Sequence, residues 1–386
     1  MIIEFHVLQN FSPSCLNRDD VNAPKDCEFG GFRRARISSQ CLKRAIRFSP
    51  AFSDAIKVGI ATRTKLLASE LAKYLEKTGH DVKQAARVAE AIAGAIGNGI
   101  DDKGRTAVAL YLGMDEIQRI GELAAKRFDE IVAVMPQADE TETEKKPKKG
   151  KKDKDDKLAL LAKEITDGFK PGTTAADVAL FGRMIADSEH FNVDAACQMA
   201  HAISTHRVSM ESDFFTAVDD LQPAGEMGAG MMGTQEFVSA CFYRYSLVDV
   251  KQLAQTLGGN MELACEAVLA FARAMVMAIP SAKQNSHAAQ NPPDFVMTVV
   301  RDGGFPASYA NAFQKPVRPG STGLMESSIT ELAAYDKSIS MAYGKNGEKG
   351  RAWFSTTGVE VDMHGKVNGL DALVAKLAKS LEECGK

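Results

Sequence analysis

Six cations stand in residues Phe32 to Arg47 with no acid among them: Arg33, Arg34, Arg36, Lys43, Arg44 and Arg47. The whole 386-residue chain has a formal net charge of -3, so this excess is local. A glycine pair, Gly30-Gly31, precedes a short β-like run from Arg34 to Ile37, and Ser38-Ser39 then sit where a helix N-cap belongs. A helix starting there offers unpaired N–H groups and the positive end of its dipole, both suited to phosphate. Helical spacing places Lys43 with Arg47, and Gln40 with Arg44, one turn apart. Arg18 and Lys25 lie upstream in a polar, proline-containing loop. Small hydroxyls at a helix start, with cations along its first turns, suit a row of phosphates. The competing reading is a solvated basic face.

Other groupings offer less. GAGMMG at 228–233 matches the dinucleotide-binding G-x-G-x-x-G, but it leads into a strand, whereas that chemistry needs a strand before it and a helix after. His201 and His206, with Asp213, Asp219 and Asp220 nearby, invite an acid–base or metal reading. An odd separation on one strand turns the two imidazoles to opposite faces, and His201 falls on the apolar one. No Ser-His-acid or Cys-His set follows from spacing, so no catalytic, metal or cofactor site is expected. Seven scattered cysteines contain no CxxC pair, which excludes a zinc spacing or a secreted disulfide framework. No apolar run is long enough for a bilayer, and MIIEFHVLQN reads as a strand and not a signal peptide. A cytoplasmic location without membrane contact is expected.

The elements that must position these residues follow from periodicity. A strand over Ile2–Leu8, the polar loop, and a helix over Ser38–Phe48 open the chain. From about 51 to 190 the sequence turns helical, with helices expected over Thr62–Lys77, Asp81–Ile96, Met114–Val134 and Lys157–Thr166. Asp139–Lys157, with eight lysines and seven acids, is expected to be a disordered loop. Strand alternation returns over Val193–Thr205 and Phe237–Leu247, separated by Arg207–Gln235, which is too long for a tight turn. A helix over Asn260–Met277 and a strand over Phe295–Arg301 follow. The tail adds a helix over Leu324–Tyr343, a strand over Trp353–Met363 and a helix over Leu370–Glu382. The order β-α-(helices)-β-(excursion)-β-α-β is that of an α+β, ferredoxin-like and hence RRM-like fold with two insertions. The aromatic RNP1 signature is absent, so base stacking on the sheet face is not expected.

The literal strings go further. SPSCLNRDD, FGG, RR and RISSQCLKRA closely resemble the opening of the CasC family, the crRNA-binding backbone subunits of type I-E CRISPR Cascade. AHAISTH (200–206), FTAVDDLQ (215–222), GTQEF (233–237), FYRY (242–245) and AKQ with NP (282–292) continue the resemblance in order. It implies an RRM-like palm formed by 1–50 and 191–386, helical fingers at 51–190, and a thumb at 207–235. In that family the methionine matching Met184, in LFGRM, lies against bound nucleic acid. The loop matching Lys283, Gln284 and His287 contributes to the guide groove. Family members are regarded as non-catalytic, although related type III backbone subunits cleave RNA through a loop acid.

The expectation is therefore a non-enzymatic protein that grips guide RNA through Arg18, Lys25, Arg33, Arg34, Arg36, Ser38, Gln40, Lys43, Arg44, Arg47, Met184, Lys283 and His287. Phosphate contacts position without reading sequence. The thumb, with Phe214, Phe215, Met227, Met231 and Met232, is expected to meet the next copy. Partners would be crRNA, target DNA paired to it, further copies head to tail, and other Cascade subunits. The alternatives are a ferredoxin-like RNA endonuclease and a metabolic protein with an incidental basic helix.

Overall fold

The computed structural model describes residues 1–56, 59–135, 160–162, 164, 173–185, 189–221 and 231–384. The Asp139–Lys157 segment and Met227 lie outside them. The chain divides into two units: Met1–Ile56 with Cys197–Lys251 and Ala264–Lys386, and Lys57–Ala196 with Gln252–Leu263.

In the first unit, β1 (Ile2–Ser14) pairs antiparallel with β9 (Met231–Asp249) on one side and β10 (Phe295–Arg301) on the other. Beyond β10 lies β11 (Glu348–Ser355), and beyond β9 lie β7 (Ala202–Ser204), β3 (Phe32–Ile37) and β2 (Asp26–Phe29). A short β6 (Cys197–Met199) also pairs with β9. Alternation in β1 sends Ile3, Phe5 and Val7 to one buried face, where Phe5 meets Phe271 of the Met261–Met277 helix edge to face at 5.3 Å. The other face is covered too. There Leu8, Tyr243, Phe295 and Met297 pack with Phe313, Leu332 and Trp353. Glu4 is consequently buried, and it is tolerated because its carboxylate accepts from Tyr245 Oη at 2.7 Å, the Ala307 N–H at 2.6 Å and the Arg301 guanidinium.

Several boundaries differ from those expected. β1 runs on to Ser14 because its far end finds a partner in β9 through Val238. The single strand over Val193–Thr205 is two pieces. Between Met199 and Ile203 four steps oppose only three on β9, from Ser246 to Tyr243, so a bulge interrupts the alternation. His201, at that break, is exposed and not in the core. The last strand lies earlier than Trp353–Met363, because Trp353 pairs with Met297 near the middle of β11. The excursion after Arg207 is a hairpin: β8 (Glu211–Ala217) pairs residue for residue with Met231–Phe237, the start of β9. Every residue of β8 is exposed. Met231 to Gly233 therefore belong to a strand, not to a phosphate loop.

The second unit is mostly helical, with helices Leu67–Lys77, Val82–Ile96, Met114–Lys126 and Phe128–Val134 and a two-stranded β4 (Thr62–Thr64) and β5 (Leu110–Leu112). Leu71, Leu75, Val88, Ile92, Ile117 and Ile120 form its core. Thr62–Thr64 is extended because it pairs with β5, so the first helix starts five residues later than expected, at Leu67. Arg127 separates what periodicity joined into one helix, Met114–Val134.

Candidate nucleic-acid interface

The basic stretch folds as a hairpin leading into a helix. Gly30 and Gly31 have φ of 62° and 79°, the pair of left-handed residues that a two-residue type I′ turn between β2 and β3 requires. Helix α1 (Ser39–Arg47) then starts as expected: the Ser38 hydroxyl accepts from the Cys41 N–H at 3.3 Å. Asn17 ties the upstream loop to this start, its Oδ1 accepting from the Ser38 N–H at 2.8 Å and its carbonyl from the Lys25 N–H at 2.9 Å. Leu42 and Ile46 anchor the helix in the core. Thus the loop with Arg18 and Lys25, and the helix with Lys43 and Arg44, are one construction. Asn17 was not singled out in the sequence, and its place inside the SPSCLN string was the available signal.

The cations are not equivalent. Arg34, expected at the surface, is fully buried; it donates to the carbonyls of Ser204 at 3.0 Å, Phe313 at 2.7 Å and Gln314 at 3.2 Å. Alternation within β3 turns it inward, where it clips the hairpin to the rest of the unit. Arg47 is also buried, drawn in by its position beside Ile46 and with its guanidinium 5.1 Å from the Phe48 ring. Arg33 pairs with Asp26, and Arg36 donates to the Asp26 carbonyl at 3.1 Å and His201 Nδ1 at 2.9 Å. Burial first, and then Arg36 and Lys25, lower the His201 pKa. Arg18, Gln40 and Arg44 are exposed, while Lys25, Lys43 and Lys283 are half-buried. His206 is half-buried as well: its Nδ1–H donates to the Arg207 carbonyl at 2.8 Å and its Nε2 accepts from the Cys241 N–H at 3.3 Å. Burial pushes its pKa down, and both nitrogens are occupied within the fold.

Gly30 gives this construction a stability test. A Cβ there would overlap the Gln314 carbonyl oxygen, which Arg34 also uses, whereas a Cβ at Gly31 would meet nothing within 4 Å. Both alanine variants carry the left-handed backbone cost of about 1–2 kcal/mol. Gly30→Ala is expected to lose at least about 1 kcal/mol more than Gly31→Ala, read from urea midpoints. Equal losses would show that the Gly30–Gln314 contact does not matter.

Lys283 and His287 bound a one-turn helix, Gln284–His287, flanked by left-handed Lys283 (φ 51°) and Ala288 (φ 47°). Such strain in non-glycine residues persists only when the surroundings hold it. The loop reaches the base of the hairpin: Gln235 Nε2 donates to His287 Nε2 at 2.8 Å, and the Phe237 ring lies 6.2 Å away. Phe215, Phe237 and His287 line a recess of about 450 Å³ together with Pro13. Lys283 and Arg18 both bear on the Cys15 thiol, opposing the burial that raises its pKa, so β1's end, the upstream loop and the 283–287 loop share one neighbourhood. Gln235 and Phe237 stand in the GTQEF string and were not marked as site residues.

On the hairpin itself Phe214, Phe215, Met231 and Met232 are exposed, as expected. In the second unit Met184 is 85% exposed. Its neighbour Arg183 points the other way and is buried against Glu116. Among the described residues no group of three or more His, Cys, Asp or Glu could hold a metal ion. No helix among them is long and apolar enough to cross a membrane.

The family model described as CT1975-like protein matches residues 3–379. Among solved structures, a chain of a "CRISPR RNA-guided surveillance complex, pre-nicking" superposes with a TM-score of 0.80 at 29% identity, covering 99% of this chain and 100% of that one. A chain of another "CRISPR RNA-guided surveillance complex" gives 0.70 at 25% identity, covering 98% and 100%. Among curated protein sequences none matches.

Proposed function

The chain belongs to the CT1975-like protein family, and on that premise we propose that it is the crRNA-binding backbone subunit of a type I-E CRISPR Cascade complex. The observation that carries this reading is the likeness to a chain of an RNA-guided surveillance complex over 99% of this chain and 100% of that one. The geometry supports it. The strand order β10-β1-β9-β7, all antiparallel, is the order of a ferredoxin-like sheet and suits an RRM-like palm. The exposed hairpin fits the role of thumb, and the helical unit that of fingers.

Guide RNA would run over the outward cations Lys25, Lys43 and Lys283 and the start of α1, its phosphates held and its base edges left free. Target DNA then reads the exposed bases, so specificity is delegated to pairing. Successive copies would meet head to tail, because a heterologous contact that does not close makes a helical filament along a linear ligand. Other Cascade subunits would cap the ends, in the cytoplasm. No catalytic role is assigned: His201 is tied to Arg36, and His206 has both nitrogens engaged within the fold.

The test uses purified protein and unrelated RNAs. Cooperative, salt-sensitive binding of equal strength for all of them is expected, with the RNA intact whether or not divalent metal is present. Cleavage at defined positions would overturn the reading and favour an endonuclease, and a lack of salt dependence would leave the basic face incidental.

A further inference from the structure

A basin of about 630 Å³ lies between the end of the helix Leu324–Tyr343, the turn after it, the start of β11 and the helix Leu370–Cys384. It is remote from the basic hairpin, because β11 is the last strand on one edge of the sheet and β2 the last on the other. It also sits at the opposite end of β1 from the Arg18 loop. Register sets Glu348 against Arg301 and Arg301 against Ile2, whereas that loop follows Ser14. At about 3.3 Å per residue those two ends of β1 are about 40 Å apart.

The basin's charges are unevenly matched. Its acids are all engaged: Asp336 accepts from Arg351 at 2.6 Å and from Tyr309 Oη at 2.7 Å, and Glu348 accepts from Arg351 at 3.0 and 2.8 Å. Asp362 accepts from Lys337 at 3.0 Å. The other three lining lysines, Lys345, Lys349 and Lys376, are exposed, and among the described residues none of them has an acidic partner. Their backbone is held in place. Asn346, left-handed at φ 46°, is clamped by two hydrogen bonds to the Phe305 backbone, at 2.9 and 2.7 Å. Buried Arg301 donates to the Asn346 carbonyl at 3.1 Å and to that of Lys345 at 3.4 Å. Surroundings of that kind keep a strained residue where it is. Across the basin, Trp353 Nε1 donates to the carbonyls of Met363 at 3.3 Å and His364 at 3.1 Å, which fixes the facing wall.

The donor set selects the ligand. Among the described residues the lining holds one large apolar side chain, Met363, and no Phe, Tyr or Trp, so it suits charge and not a base. Its only guanidinium, that of Arg351, is already forked onto Glu348 and Asp336. Carboxylates favour such a planar fork, whereas ammoniums are compact point charges with three donors each, suited to the several oxygens of a phosphate. We propose that this basin is a phosphate-binding site whose contacts are Lys345, Lys349 and Lys376. A nucleic-acid strand other than the guide and a free nucleotide offer the same chemistry, and the test separates them.

Acylation of lysines in the intact protein, read residue by residue by mass spectrometry, supplies that test. The probes are inorganic pyrophosphate and a short oligo-deoxythymidine. Either is expected to slow acylation of Lys345, Lys349 and Lys376 while leaving Lys379, exposed one turn along the same helix and outside the basin, unchanged. Lys349→Ala should move protection of Lys345 and Lys376 to at least about tenfold higher probe concentration, the loss of one charge-assisted contact. Protection by the strand at the lower concentration assigns backbone phosphates, and protection by pyrophosphate alone assigns a free ligand. Three results overturn the site: no protection by either probe, equal protection of Lys379, or polyglutamate protecting as well as the phosphates do. The last would make the basin a seat for an acidic protein segment. The same spectra report Lys25, Lys43 and Lys283 when RNA is added, so a failure of the guide face and a failure of this site are told apart.

Discussion

Replacing Lys25, Lys43 and Lys283 together with alanine is expected to weaken binding of any RNA about fiftyfold near 0.15 M salt, by the same factor for unrelated sequences. The estimate comes from counterion release: a single strand loses about 0.7 in the slope of log K against log salt for each phosphate contact removed, so three contacts flatten it by about 2. These three are partly exposed, whereas Arg34 and Arg47 are buried and their removal would confound affinity with folding. The outcome that sinks the assignment is an affinity loss confined to one sequence, or a slope that stays at its wild-type value. A change in slope without a change in circular dichroism would place the effect on the nucleic acid.

How much of this was legible in the residues depends on what each signal reports. The N-cap at Ser38 and the helix after it were legible because capping is local chemistry: a hydroxyl and an N–H three residues on. The strand Phe295–Arg301 was legible as an apolar run, since all of it is buried. Which arginine turns inward was not legible. Arg33, Arg34 and Arg36 look alike in a string, and only pairing of β3 with β2 and β7 decides that Arg34 turns inward to the Ser204 and Phe313 carbonyls. The bulge at Ala200–His201 was hidden for a similar reason, because alternation is counted along one strand and a bulge is a property of two. The paired strands 211–217 and 231–237 escaped because neither has a buried face, the first being wholly exposed and the second exposed or half-buried, so polarity does not alternate with facing. Periodicity reports burial, and this element is built to leave the surface.

The largest stability effect is expected at Arg183, a residue that the LFGRM string displays but that pattern reading passes over in favour of Met184. Gly182, at φ 77°, turns the chain so that Arg183 enters the second unit while Met184 stays outside. The guanidinium grips Glu116 in two bonds, of 2.8 and 2.9 Å, and reaches the Tyr111 carbonyl at 2.9 Å and the Phe191 carbonyl at 2.7 Å. Glu116 also accepts from the Gly113 N–H at 2.8 Å, closing the start of its own helix. Both side chains are almost wholly out of water, so removing one leaves the other as an uncompensated charge, and Arg183→Ala should cost about 3–5 kcal/mol. Replacing both, with Arg183→Met and Glu116→Leu, removes the stranded charge. It should recover part of that loss, the remainder being the carbonyls and the N–H left unpaired. Calorimetry on the three proteins separates these terms, provided the unfolding transition of the helical unit is followed by hydrogen exchange at Ile117 and Ile120. An Arg183→Ala protein whose helical unit melts within about 1 kcal/mol of wild type would show that the buried pair is not what holds the 182–184 turn. If the cost appears as expected, Met184 faces outward because its neighbour is anchored inward, and mutations at Glu116 would reach any contact made by Met184 without touching it.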